Sequence, residues 1–100
     1  MDFTPKRAAE VEVFTVDFSP LLATGETITS AVWSSTVTRG VDATPGTMIQ
    51  GAATITGNKV SQLIKGGITG NQYAPVCTAI TSAGQTLILP EYGNGQLLIT

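Results

Sequence analysis

Residues 66–84 constrain what this chain can fold into more than any other stretch. The segment begins with three glycines within five positions, at residues 66–70. Glycine adopts positive φ without steric cost, so this beginning predicts a loop. Tyr73 then opens a run of apolar residues and threonine that favours a β-strand, and a turn ending at Gly84 closes the run. The stretch therefore predicts a loop, a strand and a turn in succession.

Two interpretations of Tyr73 are open from these residues. A tyrosine that follows a glycine loop at the start of a strand is typical of the tyrosine corner of immunoglobulin-like sandwiches. In that motif the ring packs over the core and the hydroxyl group bonds back to the loop. The simpler interpretation is a half-buried aromatic residue at a strand end, and the sequence favours neither.

The composition favours an all-β domain. Hydrophobic residues make up 42% of the 100 residues, which is enough for one modest core, and charged residues make up only 12%. Threonine is abundant, and its β-branched side chain packs well on a pleated surface. The long charged residues that decorate exposed helices are scarce.

Short apolar runs separated by turn residues predict an antiparallel β-sandwich of about seven strands, without a helix. The alternation within residues 11–18 changes phase near Val13, which suggests a bulge or a switch between sheets. Pro75 cannot donate a ladder hydrogen bond, so its strand is expected at an edge or beside a bulge. Strands are predicted at residues 11–18, 27–33, 47–49, 52–56, 59–64, 73–81, 86–89 and 96–100, with 34–38 as an alternative continuation and hairpin turns at 57–58 (type II′) and 93–95.

The aromatic residues and turn glycines are the candidate structural positions. Trp33 is the only tryptophan and the largest apolar side chain, and we place it in the core, facing Tyr73. An exposed, ligand-binding Trp33 is the alternative. The predicted core and turn residues are Trp33, Tyr73, Phe14, Phe18, Gly25, Gly67, Gly70 and Gly84.

Charge is distributed unevenly along the chain. Five of the twelve charged residues lie within the first twelve positions, and only three lie between residues 43 and 100. We interpret residues 1–10 as an N-terminal arm and residues 11–100 as one sandwich domain. A surface with so few charges suits a domain that lies within an assembly, although a threonine- and serine-covered monomer is also compatible with it.

The residues argue against an enzyme. The absence of histidine removes Ser-His-Asp and Cys-His catalysis and the commonest zinc ligand. Cys77 is the single cysteine, so an intrachain disulfide is excluded, and we expect it to be a small hydrophobic strand residue. Residues 66–70 lack the lysine and Ser/Thr of a phosphate loop, and nothing near Asp17 and Asp42 supplies a calcium ligand series. We therefore predict no catalytic, cofactor-binding or metal-binding residue.

Composition also limits the partners. The net charge of −2 and the pI of about 4.7 leave no basic patch for nucleic acid. No apolar run approaches the ~20 residues of a membrane span, and residues 1–10 contain no signal-peptide apolar region. We expect a protein made in a reducing cytoplasm.

Four blocks of this sequence resemble the phage fiber-tail adaptor family, a group of small virion proteins that we take to be immunoglobulin-like. The glycine-glutamate block and the Thr-Ser-Ala-Gly block are its specific parts. The chain departs from the family in the segment 16–18, where the family usually has an aspartate and a tryptophan, and at Gln85, where it often has arginine. Residues 87–100 match poorly. The resembling segments are residues 16–22, 25–33, 66–73 and 80–86.

The resemblance implies a structural protein of a tailed phage virion, at the tail or neck, with no catalytic residues. It would join the tail tube, nozzle or head-tail adaptor to fibers or other peripheral tail proteins, in multiple copies. A capsid decoration protein with the same fold is the alternative. A carbohydrate-binding module or hydrolase is a third hypothesis and would use an exposed Trp33 or Tyr92. The residues themselves do not identify the interface.

Overall fold

The computed structural model describes residues 3–90 and 95–100. Those residues form an all-β structure in which two antiparallel sheets have the strand orders β1-β4-β3 and β2-β5-β6, and β7 pairs with β5 beside β6. Single 3-10 turns lie at Ser19–Leu21 and Pro45–Met48. The strands are β1 Glu12–Asp17, β2 Ile28–Arg39, β3 Ile49–Thr56, β4 Lys59–Ile64, β5 Gln72–Thr81, β6 Thr86–Leu89 and β7 Leu97–Leu98.

Local turn chemistry sets the β3–β4 hairpin. Thr56 pairs with Lys59 across a two-residue connection. Gly57 has a φ of 61°, and Asn58 does not have a positive φ. A positive φ at the first central residue alone is what a type II′ turn needs, and this turn matches the twist of the flanking strands.

The core lies between the two sheets, because each strand directs alternate apolar side chains inward. In β5 the inward set is buried from Tyr73 to Thr81, while the outward residues are partly or fully exposed. Trp33 comes from β2 in the same sheet, and Val60 and Ile64 come from β4 in the other. The buried apolar residues are Phe14, Val16, Phe18, Ile28, Trp33, Met48, Val60, Ile64, Tyr73, Cys77, Ala79, Leu97 and Ile99.

The prediction that Pro75 marks an edge strand or a bulge is wrong. The β5 strand is central, with β2 on one side and β6 and β7 on the other. β6 pairs with Cys77–Ile80 and β7 pairs with Gln72 and Tyr73. Pro75 falls between these two ladders, where no described strand requires its missing N–H, so the proline is tolerated within a central strand.

The phase change in the first strand is also not a bulge. The β1–β4 register runs without interruption from Glu12 opposite Ile64 to Asp17 opposite Lys59. Val13 instead points outward and is 63% exposed. The pairing of β1 with β4 fixes which residues face the core, so the apolar outward residue does not change the register.

β2 runs to Arg39 because Ser34–Val37 pairs with β5, so the alternative in which the strand continues through residues 34–38 is confirmed. The predicted strand at 47–49 is instead the end of a 3-10 turn, and β3 begins at Ile49.

The beginning and the end of the described chain lie side by side. The Phe3 N–H donates to the Gln96 carbonyl, the Lys6 N–H donates to Leu98, and the Thr100 N–H donates back to Lys6. Lys6 and Ile99 form a parallel bridge. The division into an arm (1–10) and a domain (11–100) stays a prediction, and both Tyr92 and most of the predicted turn at 93–95 lie outside the described residues.

Candidate interaction surface

The Tyr73 hydroxyl group joins two loops that are distant in sequence. It donates to Asp42 Oδ2 over 2.7 Å and accepts a hydrogen bond from the Ile68 N–H over 3.0 Å. The ring is fully buried. Since a buried tyrosine hydroxyl needs partners, these two bonds fix the 66–71 loop and the 40–44 loop against the end of β5.

The same contacts shift two pKa values in opposite directions. The hydrogen bond from Tyr73, followed by one from the Thr44 backbone, lowers the pKa of Asp42 below 3.8. Burial, and then the bond to Asp42, raises the pKa of Tyr73 above 10.0. The Asp42 carboxylate thus stays ionised as an acceptor, and the Tyr73 phenol stays protonated as a donor. The hydrogen bond is therefore structural, and neither group is poised for proton transfer.

The predicted loop glycines bring this loop close to the chain end. Gly67 has a φ of 94°, and a Cβ atom there would lie 2.8 Å from Ile99 Cγ1. The N–H of Gly70, whose φ is 91°, donates to the Ile99 carbonyl over 2.7 Å. A side chain at residue 67 would therefore strain the backbone and also collide with the core.

The structure places the other predicted residues as follows. Phe14 is buried and meets Phe3 edge-on, with the ring centroids 4.7 Å apart. Phe18 is fully buried at the end of β1. Gly25 and Gly84 both have positive φ, at 82° and 83°, in turns with open space around them.

Trp33 lies in the core rather than on the surface and is only 4% exposed. Its neighbour across the β2–β5 ladder is Cys77, while Val37 lies opposite Tyr73, so Trp33 is four residues along the ladder from the position that faces Tyr73. The indole N–H has no hydrogen-bond acceptor among the described residues. Burial also raises the pKa of Cys77 to about 11, so its thiol stays protonated at neutral pH.

A cleft lies between β2 and β3 beside Trp33. Its volume is about 180 Å³, and its walls include Ala31, Trp33 and Ala53. Gln62 also lines the cleft and donates to the carbonyls of Gln50 and Gly51. Most of the lining residues are apolar, so the cleft can admit an apolar group.

Sequence reasoning missed two buried residues with charged side chains, Lys6 and Glu26. Lys6 is fully buried and its Nζ donates to the Gly66 and Arg7 carbonyls. Burial lowers the pKa of Lys6, against the opposing charges of two nearby glutamates. Glu26 is buried beside Thr81, whose hydroxyl donates to it. Lys6 bonds to Gly66, which is 60 positions away, and Glu26 bonds to Thr81, which is 55 positions away. Local sequence patterns do not report contacts at these separations.

Among the described residues, the strands β2, β5 and β6 contain a single charged residue, Arg39 at the end of β2. Val32, Ile80 and Ile88 are 68%, 47% and 54% exposed on the outward face of this sheet. Thr78 lies between Val32 and Ile88 in the paired register. An apolar, hydroxyl-covered face of this kind suits contact with another protein.

No other chemistry is visible in the part of the chain that is described. Residues 3–90 and 95–100 contain no group of three His, Cys, Asp or Glu side chains that could hold a metal ion. Among the same residues, no helix has the length and apolar character needed to cross a lipid bilayer. Asp17 and Asp42 bond to Ser19 and Tyr73 respectively.

These features define an all-β domain of two antiparallel sheets. Residues 6–88 match the family described as podophage GP4 fiber-tail adaptor protein gp77, and the chain belongs to that family. Membership indicates a structural phage tail protein that associates with other tail proteins such as fibers. Neither the curated proteins nor the solved structures gave a significant match.

Proposed function

We propose that this chain is a virion adaptor that joins the tail tube, nozzle or neck of a tailed phage to fibers or other peripheral tail proteins. The observation that carries the proposal is the family match over residues 6–88 together with a sheet whose described strands β2, β5 and β6 contain only one charged residue, Arg39. A rigid domain with few charges can be packed in several copies without burying unpaired ions.

We further propose that the fold is immunoglobulin-like. The strand orders β1-β4-β3 and β2-β5-β6 correspond to B-E-D and C-F-G of that architecture. Trp33 then lies on strand C and Tyr73 lies at the start of strand F. The Tyr73 hydroxyl bonds to a backbone N–H five residues upstream, as the tyrosine corner requires.

The test is a phage that lacks this chain. We expect particles with complete heads and tail tubes that carry no fibers, and expression of the wild-type chain in trans should restore fiber attachment. Electron microscopy and quantitative mass spectrometry of the purified particles give both readouts. Normal fibers on particles without this chain would reject the adaptor role, and hundreds of copies located on the head would favour capsid decoration instead.

A further inference from the structure

We infer that one end of the two sheets is a docking surface for a different tail protein, whose contact site has an apolar centre surrounded by carboxylates. The surface, called here the loop end, consists of the 40–44 and 66–71 loops and the charged residues beside them. It combines a pair of exposed aliphatic side chains with a cluster of cations.

The aliphatic pair forms the centre of the loop end. Val41 is 85% exposed and Ile68 is 47% exposed. Their backbones are held beside one another, because the Asn71 side chain donates to the Val41 carbonyl over 2.9 Å and the Asn71 N–H donates to the Ile68 carbonyl over 3.0 Å. A single exposed aliphatic residue is ordinary, whereas two on adjoining loops provide an apolar contact for a partner.

Both loops are fixed before any partner binds. The buried Tyr73 hydroxyl bonds to each of them, through Asp42 in one loop and the Ile68 N–H in the other. Asn71 is also buried, and a Cβ atom on Gly40, whose φ is 101°, would overlap its side chain. A loop that is already ordered loses little conformational entropy on binding, which favours recognition.

The loop end also gathers most of the positive charge of a chain whose net charge is −2. Arg39 directly precedes one loop, Lys65 directly precedes the other, and both are exposed. Arg7 is exposed nearby, because the Lys6 Nζ bonds both to the Arg7 carbonyl and to the first carbonyl of the 66–71 loop. The fifth cation, Lys59, lies at the opposite end of β4. Four of the five cations are therefore at the loop end.

The acidic side chains at this end are engaged within the chain. Asp42 accepts from Tyr73, and Glu10 accepts from the backbone of its own turn. Among the described residues, the side chains of Arg39 and Lys65 make no hydrogen bond or ion pair. Their charges are thus available to the carboxylates of a partner.

The two features together fit a protein with an acidic surface. An apolar centre with a charged rim is the usual anatomy of a protein–protein contact, whereas a phosphate backbone would leave the aliphatic pair without an apolar partner. The occupant is therefore a protein and not a nucleic acid.

A second copy of this chain fits the loop end poorly. Its own loop end carries the same cations, and like charges facing one another oppose association. Its exposed or half-exposed carboxylates already lie near its own cations. Glu10 and Glu12 lie near Lys6, and Asp17 lies near Lys59. The partner is accordingly a different protein, and the inference rests on the proposed function for placing that protein in the tail.

The test uses particles that lack this chain, to which the purified full chain and purified fibers are added. Uptake of the chain and attachment of fibers are measured as two separate steps. Arg39→Glu combined with Lys65→Glu should slow one of the two steps by about tenfold or more at low salt. The same step should slow for the wild type when NaCl is raised from about 50 mM to about 500 mM, and the double variant should lose most of this salt dependence.

Matched variants separate the loop end from the rest of the surface. Val41→Asp should weaken the same step by about tenfold or more, because it places a charge in the apolar centre. Lys59→Glu makes the same change of charge at the opposite end, and Leu21→Asp alters a residue that is 42% exposed in the turn after β1. Both controls should match the wild type, and circular dichroism melts establish that every variant folds.

A photo-reactive benzoylphenylalanine in place of Val41 identifies the partner in assembled particles. We expect a cross-link to another tail protein, at a segment that contains Asp or Glu. A cross-link to DNA or to a second copy of this chain would overturn the inference, and so would the absence of any cross-link. Equal losses in the loop-end variants and in Lys59→Glu would also overturn it.

The two proposals fail in different ways. If the wild-type chain restores fibers and the loop-end variants restore them equally well, the docking surface is wrong and the adaptor role stands. If the wild-type chain is not taken up and restores no fibers, the adaptor role is rejected, and a tail partner for the loop end is rejected with it.

Discussion

Tyr73 and Asp42 are joined by a 2.7 Å hydrogen bond across 31 positions of sequence. The bond connects the start of the central β5 strand to the loop that leaves β2. Because the same hydroxyl accepts from the Ile68 N–H, one side chain atom fixes two loops at one end of the two sheets.

Tyr73→Phe should lower the free energy of unfolding by about 1–3 kcal/mol, because Asp42 and the Ile68 N–H each lose a partner in a partly buried setting. Urea denaturation measures the change. In a double-mutant cycle with Asp42→Ala, the coupling energy should be clearly nonzero, whereas Asp17→Ala, which alters an exposed carboxylate bonded to Ser19, should add independently of Tyr73→Phe. Additivity in both cycles would show that the Tyr73–Asp42 bond contributes nothing.

Acid should weaken the domain partly through Asp42. Its folded pKa lies below the ordinary value of 3.8, so its contribution is complete above about pH 3.8 and is lost as the pH falls through the folded pKa. The slope of unfolding free energy against pH in this acid range should therefore be smaller in Asp42→Asn than in the wild type. Identical slopes would mean that the folded and unfolded pKa values of Asp42 are the same.

Trp33→Ala should cost about 3–5 kcal/mol, since it removes the largest side chain of the core and leaves a cavity between the sheets. Trp33→Phe retains much of the volume and should cost less. Chemical denaturation of both variants gives the comparison. A loss below about 1 kcal/mol for the alanine variant would show that the Trp33 side chain does not stabilise the core.

Gly67→Ala and Gly70→Ala separate backbone strain from collision. Both glycines have φ near 90°, so each alanine should cost about 1–2 kcal/mol in strain. At residue 67 the new Cβ would also lie within 3 Å of Ile99, while residue 70 has open space around it. Gly67→Ala should therefore lower the melting temperature more than Gly70→Ala, and the reverse order would refute the close approach.

Lys6→Ala should loosen the pairing between the two ends of the chain. The variant loses the Nζ bonds to the Gly66 and Arg7 carbonyls and the buried stem of the side chain. We expect faster amide hydrogen exchange at residue 6 and at Thr100, whose N–H groups donate across this pairing, and a stability loss of about 1–3 kcal/mol. The exposed neighbour supplies the control, Arg7→Ala, which should leave exchange at Thr100 unchanged. Equal exchange in Lys6→Ala and the wild type would show that Lys6 does not anchor this segment.

The sequence predicted what depends on neighbouring residues. The all-β class follows from local alternation, and the turn at residues 57–58 follows from a glycine-first pair. Family membership follows from four short blocks, two of them specific. These features require only interactions within about ten positions, which local patterns can report.

What the sequence did not predict depends on distant pairing. Pro75 indicated an edge, but the break between β6 and β7 that accommodates it is set by the return of the chain more than ten residues later. Ser35 is polar yet buried, because β2 continues along β5 and Met48 packs beneath it. Lys6 lies in the segment interpreted as an N-terminal arm, and the Gly66 carbonyl that accepts from its buried Nζ lies 60 residues away.

The parallel pairing of residues 3–6 with 96–100 bears on how the domain carries tension. In a parallel pair, pulling the two chain ends apart slides one strand along the other, and the three backbone hydrogen bonds between them are loaded together rather than opened one after another. A force applied between the two ends of this chain would therefore be resisted first by these three hydrogen bonds, before any hairpin of the two sheets is stretched.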